Sequence, residues 1–215
     1  MEHTDTRESL LDAAERLFAE NGIAAASLRA ITQRAGANLA AVNYHFGSKD
    51  GLVRAVFSRR LKPVSEERLR LLEECDLQAD DAVEQVLCAF LKPALRMLRK
   101  GPGARDFARL MGRAFADPND EVRTIVMGEF RESMERYLAV FRSLLPYLKE
   151  SEVMWRFHFL GGAMGHTVSC GYLLEKFSGN QCRATDPDEA LRHLVPFLAA
   201  GLRAPSQSQE MSQAS

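Results

Sequence analysis

Ser27-Leu28-Arg29-Ala30-Ile31-Thr32-Gln33-Arg34-Ala35-Gly36-Ala37-Asn38-Leu39-Ala40-Ala41-Val42-Asn43-Tyr44-His45-Phe46-Gly47-Ser48-Lys49 is the stretch whose reading decides the fold. It holds two short helices, over residues 28–35 and 39–46, each preceded by a capping residue. Ser27 and Asn38 carry side-chain oxygens that accept from amides left unpaired in a first helical turn. Gly36 and Gly47 follow as stops, since glycine enters left-handed backbone without a Cβ penalty. Helix, Gly-containing turn, helix is a helix-turn-helix pattern, and a helix held out by such a turn fits the major groove of DNA. On the second helix Val42 and Phe46 face the core, whereas Ala40 and Ala41 let the backbone come close to a partner. Asn43 offers an amide to a base edge or a backbone oxygen, and Tyr44 and His45 have the reach for phosphate.

The helical pattern continues on both sides. Leu10, Leu11, Ala14, Leu17 and Phe18 lie on one face of a preceding helix that stops near Asn21-Gly22. Ser48 caps a long helix running from Lys49 towards Glu74, in which Pro63 predicts a kink or a break. Further helices are expected over residues 82–98, with a second kink at Pro93, and over 104–115, 121–145, 152–177 and 188–202. Gly101-Pro102-Gly103, Asp117-Pro118-Asn119, Leu145-Pro146 and Thr185-Asp186-Pro187 punctuate them. There is no strand-like alternation of useful length and no internal repeat, so the fold class is all-α. The expected organisation is a DNA-binding unit over 1–48 extending into the helix from 49, a ligand-binding and dimerisation domain over 49–204, and a disordered Ser/Gln-rich tail over 205–215.

Read whole, a net charge of −1 says nothing about nucleic acid. Read locally, residues 27–62 hold Arg29, Arg34, Lys49, Arg54, Arg59, Arg60 and Lys62 against Asp50 alone, a field that attracts phosphate. The acids concentrate in 66–74, 76–84 and 117–135. Cys75, Cys88, Cys170 and Cys182 are far apart without metal-ligand spacing and read as reduced thiols of a cytoplasmic protein. No apolar run resembles a secretion signal or reaches the roughly 18 residues of a membrane span.

On these residues the chain resembles the TetR family of one-component transcriptional regulators. Residues 27–38, then Tyr44-His45-Phe46-Gly47-Ser48-Lys49-Asp50-Gly51-Leu52, carry the likeness, which covers about residues 7–57. The resemblance implies phosphate contacts from Ser27, Tyr44, His45 and Lys49, and base or groove contacts from Arg29, Asn38, Ala40, Ala41 and Asn43. Members usually carry Ser or Thr where this chain has Asn38, which can still cap the helix. The resemblance further implies a homodimer built on the last two long helices, with a near-palindromic operator.

The C-terminal two-thirds shows no catalytic constellation, Gly-rich phosphate loop or metal-ligand set, so neither enzyme activity nor a cofactor is expected. His158 and His166 read as hydrogen-bonded core or interface residues rather than ligands. Large soft side chains abound there. Phe90, Phe107, Met111, Phe130, Met134, Trp155 and Phe159 suit either a packed core or a pocket that adapts to an apolar ligand. Gly161, Gly162, Ala163, Gly165 and Ser169 place small residues on one long helix, for close approach across a dimer, for ligand room or for internal packing. Arg109-Leu110-Met111-Gly112, the Trp155–Phe159 stretch and Leu194-Val195-Pro196-Phe197 resemble the PsrA-like, fatty-acid-responsive branch of the family. That resemblance implies a long-chain fatty acid or acyl-CoA, with Arg109 or Arg113 either meeting its acidic group or lying on the surface. Two alternatives stay open: a constitutive regulator without ligand, and a helical ligand carrier or enzyme.

Overall fold

The computed structural model describes residues 2–97, 103–116 and 120–206, and every described element is helical. In chain order they are α1 (Glu2–Asn21), α2 (Leu28–Ala35), α3 (Leu39–Phe46), α4 (Lys49–Glu73), α5 (Ala82–Met97), α6 (Ala104–Ala116), α7 (Asp120–Leu144), α8 (Glu150–Phe177) and α9 (Pro187–Arg203). The all-α expectation holds, and helix ends fall within two residues of those read from the sequence. The tail over 207–215 and the punctuating residues 101–102 and 117–119 lie outside the described residues. Ser206 is buried, its hydroxyl donating to Glu152 Oε2 at 2.8 Å.

Pro63 breaks nothing. The α4 helix runs through it, as α5 runs through Pro93 and α9 through Pro196. One missing amide and one ring clash are local costs, and on α4 they are offset by buried Leu61 and Val64 on either side of the proline.

The chain divides into two compact units. Residues 1–63 with 99–130 form the first, and residues 64–98 with 131–215 the second, so α4 and α7 each contribute to both. In the first, α1 packs against α2, α3 and α6. Its core comprises Leu10, Leu11, Ala14 and Phe18 of α1, Ile31, Val42, Leu52, Val56 and Phe57, and Phe107 and Leu110 of α6, all fully buried. This grouping puts α6 with the N-terminal helices, since the amphipathic α6 has α1 as the surface on which its apolar face is covered. In the second unit α5 packs on α8 and α9 around Phe90, Leu91, Tyr137, Phe141, Phe157 and Leu160. Each such side chain removed from water contributes about 1.5–3 kcal/mol.

Candidate nucleic-acid interface

The two caps form as read from the sequence. Ser27 Oγ accepts from the Ala30 amide at 3.2 Å and Asn38 Oδ1 from the Ala41 amide at 3.0 Å. Gly36 adopts left-handed backbone, φ 63°, and its amide closes α2 on Gln33 and Thr32. Capping uses only the oxygen acceptors, so the Ser27 hydroxyl proton and the Asn38 NH2 stay available as donors.

Val42 is completely buried and seats α3 on the core, which turns Asn38, Leu39, Ala40, Asn43, Tyr44 and Gly47 outward on one strip. Tyr44 is 77% exposed. Ala41 and His45 are half-buried, and the His45 ring meets Tyr44 edge-on at 4.9 Å between centroids. Phe46 is half-buried rather than in the core, with the Arg7 guanidinium 5.6 Å from its ring centroid.

The junction after α3 is close-packed. A Cβ at Gly51 would sit 1.9 Å from the Phe46 carbonyl oxygen, so only glycine lets the first turn of α4 come this close to the last turn of α3. Ser48 caps α4 by accepting from the Gly51 amide at 3.0 Å. Lys49 is half-buried, and its Nζ donates to the Ala24 carbonyl at 3.2 Å, with two further ammonium protons left to give. Arg29 and Arg54 are exposed, and Arg34 pairs with Glu20 at 3.1 Å.

The basic run is partly an internal device. Arg59 reaches Asp12 and Glu15, both at 2.8 Å, and Arg60 reaches Glu15 at 2.7 Å, so with Arg34 three of the seven bases pair with acids of α1. Glu15 is 3% exposed. It occupies the same face of α1 as Leu11 and Phe18, a phase that the sequence already carried. Gly103, at φ +88°, seats the turn before α6 on this pair: a Cβ there would lie 2.6 Å from Glu15 Oε1 and 2.8 Å from an Arg60 nitrogen. A cleft of about 590 Å³ opens beside the network, lined by Asp12, Glu15, Arg16, Arg59, Arg60 and Asp106 among others. Its charged lining is the opposite of the apolar pocket expected from the sequence.

The seven side chains read as ligand contacts fall in three settings. Phe107 and Met111 are buried in the first unit, where Phe107 packs edge-on against Phe57 at 6.0 Å, and Phe130 is half-buried at its end. Phe90 is fully buried in the second unit, and Met134 is half-buried against the same core. Trp155 and Phe159 are each 61% exposed and stack on each other at 5.7 Å. They lie outward because Val153, Phe157 and Leu160 take the inward phase of α8. Arg109 and Arg113 are both exposed.

Two features escaped the sequence reading. One is Arg68, a guanidinium 1% exposed in the core of the second unit. It is hidden in the acidic run 66–74, yet in phase with Leu61, Val64 and Leu72, and that phase was the available signal. The other is the extent of an unpartnered apolar face on α8 and α9. Met154, Trp155, Phe159, Tyr172 and Phe197 are exposed, and a Cβ at Gly161, Gly162, Gly165 or Gly201 would meet nothing within 4 Å. Cys75, Cys88, Cys170 and Cys182 are free, and no described helix is long and apolar enough to cross a membrane.

Two family models match the chain. Residues 10–56 match the bacterial regulatory proteins of the tetR family, and residues 88–201, more than half of the chain, match the tetracyclin repressor-like C-terminal domain. HdnoR of Paenarthrobacter nicotinovorans, an HTH-type nicotine-responsive transcriptional repressor, is 43% identical over 58 residues, which span 27% of this chain and 30% of that protein. Among solved structures, SmeT, the repressor of the Stenotrophomonas maltophilia efflux pump SmeDEF, is similar in fold at 24% identity. The match covers 94% of this chain and 96% of that one, with a TM-score of 0.61. A SmeT–triclosan complex matches at 25% identity, 93% and 95% coverage and a TM-score of 0.63. The fatty acid degradation regulator FadR from Bacillus halodurans shares the fold at 17% identity, 92% and 96% coverage and a TM-score of 0.62.

Proposed function

This chain belongs to the TetR family of bacterial transcriptional regulators, and from that premise we propose that it is a dimeric repressor released from a near-palindromic operator by a small apolar ligand. The observation that carries the reading is the outward strip of α3. A Tyr ring, an Asn amide and Ala40 stand clear of the core beside a lysine at the head of α4. Such a strip suits a groove lined by phosphate.

In this reading Ser27, Tyr44, His45 and Lys49 hold phosphate and set the register. Arg29, Asn38, Ala40, Ala41 and Asn43 meet the groove. Residues 1–48 with the first turns of α4 do the DNA work, and the rest binds ligand and pairs the subunits. A second copy covers the apolar face of α8 and α9, and C2 pairing then presents two α3 helices to successive major grooves. The ligand class proposed is a long-chain fatty acid or acyl-CoA. It is supported by the PsrA-like stretches and by the soft Met and Phe side chains around Phe90 and Met134. Ligand favours a conformation in which α4, which carries Lys49 at its head, holds the α3 helices at the wrong spacing.

The test is duplex binding by fluorescence anisotropy, with and without saturating fatty acids of graded chain length. A coupling of the usual size weakens DNA affinity roughly 5–150-fold. Equal affinity with and without every acid contradicts the ligand-responsive part and leaves a constitutive regulator.

A further inference from the structure

Arg34, Arg59 and Arg60 leave the basic run of residues 27–62 to pair with acids of α1. One base of α1 goes the other way. Arg7 reaches across to α3, where its guanidinium lies over the Phe46 ring, 5.6 Å from the centroid. The His45 ring is 6.0 Å from that same ring. Phe46 therefore joins a cation of α1 to the end of α3 that carries Tyr44 and His45.

The manner of holding decides what Arg7 can do. A cation over an aromatic face is attracted by the ring quadrupole and gives up none of its N–H donors. Its bond to a carboxylate runs from Nη1 to Glu8 Oε1 at 2.8 Å, between side chains that are 45% and 47% exposed. Exposed pairs of that kind contribute little. Glu8 is also divided, since Arg59 Nη1 donates to its other oxygen at 3.3 Å. Most of the Arg7 fork is thus left to give, on a side chain staged by a ring and open to solvent.

Distance points the same way. Arg7 and His45 flank Phe46 and so lie within about 12 Å of each other. Duplex DNA carries a phosphate charge about every 1.7 Å of its axis. A backbone that meets Tyr44 and His45 has further phosphates at that range.

We propose that Arg7 is a phosphate contact of the DNA-binding unit, with the Phe46 ring as its platform. It extends the backbone-holding set from α2, α3 and α4 to α1, and a guanidinium fork matches phosphate geometry. The inference rests on reading α3 as the helix that meets DNA. It adds a base from outside the run that the sequence marked as basic. It also gives Phe46 a use for the part of its ring that is not buried.

The experiment is fluorescence anisotropy of the full-length protein on a short random-sequence duplex across a range of salt, because backbone contacts supply non-specific binding. Arg7→Gln binds roughly tenfold more weakly at about 0.1 M salt, and the deficit closes as salt rises. Its slope of log K against log salt is flatter than the native one by about 0.9. Arg7→Lys keeps the charge and restores the native slope. Both variants melt near the native temperature, since the side chain is exposed. A residue that merely braced Phe46 would shift melting and affinity and leave the slope alone. A native slope in Arg7→Gln overturns the proposal while leaving the other contacts standing, as does a flattened slope that Arg7→Lys does not restore. If the native protein shows no salt-dependent duplex binding, the DNA-binding reading itself fails and takes the proposal with it.

Discussion

Tyr44 and Asn43 are adjacent on one exposed strip, yet they answer different questions about DNA. A phosphate contact weakens all sequences alike when it is removed, whereas a base-edge contact changes which sequence wins. Lys49→Ala should therefore lower affinity for every duplex and flatten the slope of log K against log salt by about one. Asn43→Ala should shift the preferred site in a randomised-duplex selection; an unchanged preference removes Asn43 from the base-reading set. Much at this scale was legible because it is local. Ser27, Asn38 and Ser48 accept from amides three residues on, and a cap needs nothing beyond its own turn. Gly51 was visible only as part of a resemblance, because what demands glycine is the Phe46 carbonyl against which it packs. Arg68 was not singled out at all. Glu66 and Glu67 precede it in sequence while its neighbours in space include the Phe90 ring, so the charged run concealed a buried phase.

At the scale of elements, the helices were readable because glycine and proline punctuate an otherwise helical pattern. Which helix packs on which was not, since long-range partners depend on pairs such as Glu15 with Arg59 and Arg60. That network fastens α4 to α1, and Gly103 brings the turn before α6 onto it. Gly103→Ala adds both a Cβ inside the ion pair and an L side chain at φ +88°. It should lower stability by about 1–3 kcal/mol in chemical denaturation and weaken DNA binding by displacing α1. A fully stable Gly103→Ala protein with native operator affinity contradicts the assignment of Glu15 as the hub of the first unit. The Met/Phe-rich stretches illustrate the converse limit. Helical spacing made Phe90, Phe107 and Trp155 look equivalent, yet the first two are fully buried and Trp155 is 61% exposed. Periodicity gives a face, and only the packing of α8 on α5 and α9 decides which face is inward.

For the molecule as a whole, the proposed dimer requires a partner for α8 and α9. Gly162 and Gly165 are helical glycines whose added methyl would meet nothing within the protomer. Glycine to alanine in a helix interior stabilises by up to about 1 kcal/mol, so Gly162→Ala alone should not harm a monomer. In a closely packed pair the same methyl separates the helices, and sedimentation should show a weaker dimer despite an unchanged or higher melting point of the dissociated chain. A dimer of native strength places the interface elsewhere. The operator's form follows from the same pairing, because two α3 helices related by a twofold axis read two inverted half-sites. Selection from a randomised duplex pool with the purified protein tests this most directly. The expected outcome is one enriched, near-palindromic motif whose half-site centres are about one helical turn or a multiple of it apart, bound with an affinity that falls steeply with salt. Enrichment of no sequence at low salt, or of an isolated half-site without its inverted mate, contradicts a dimeric DNA-binding regulator.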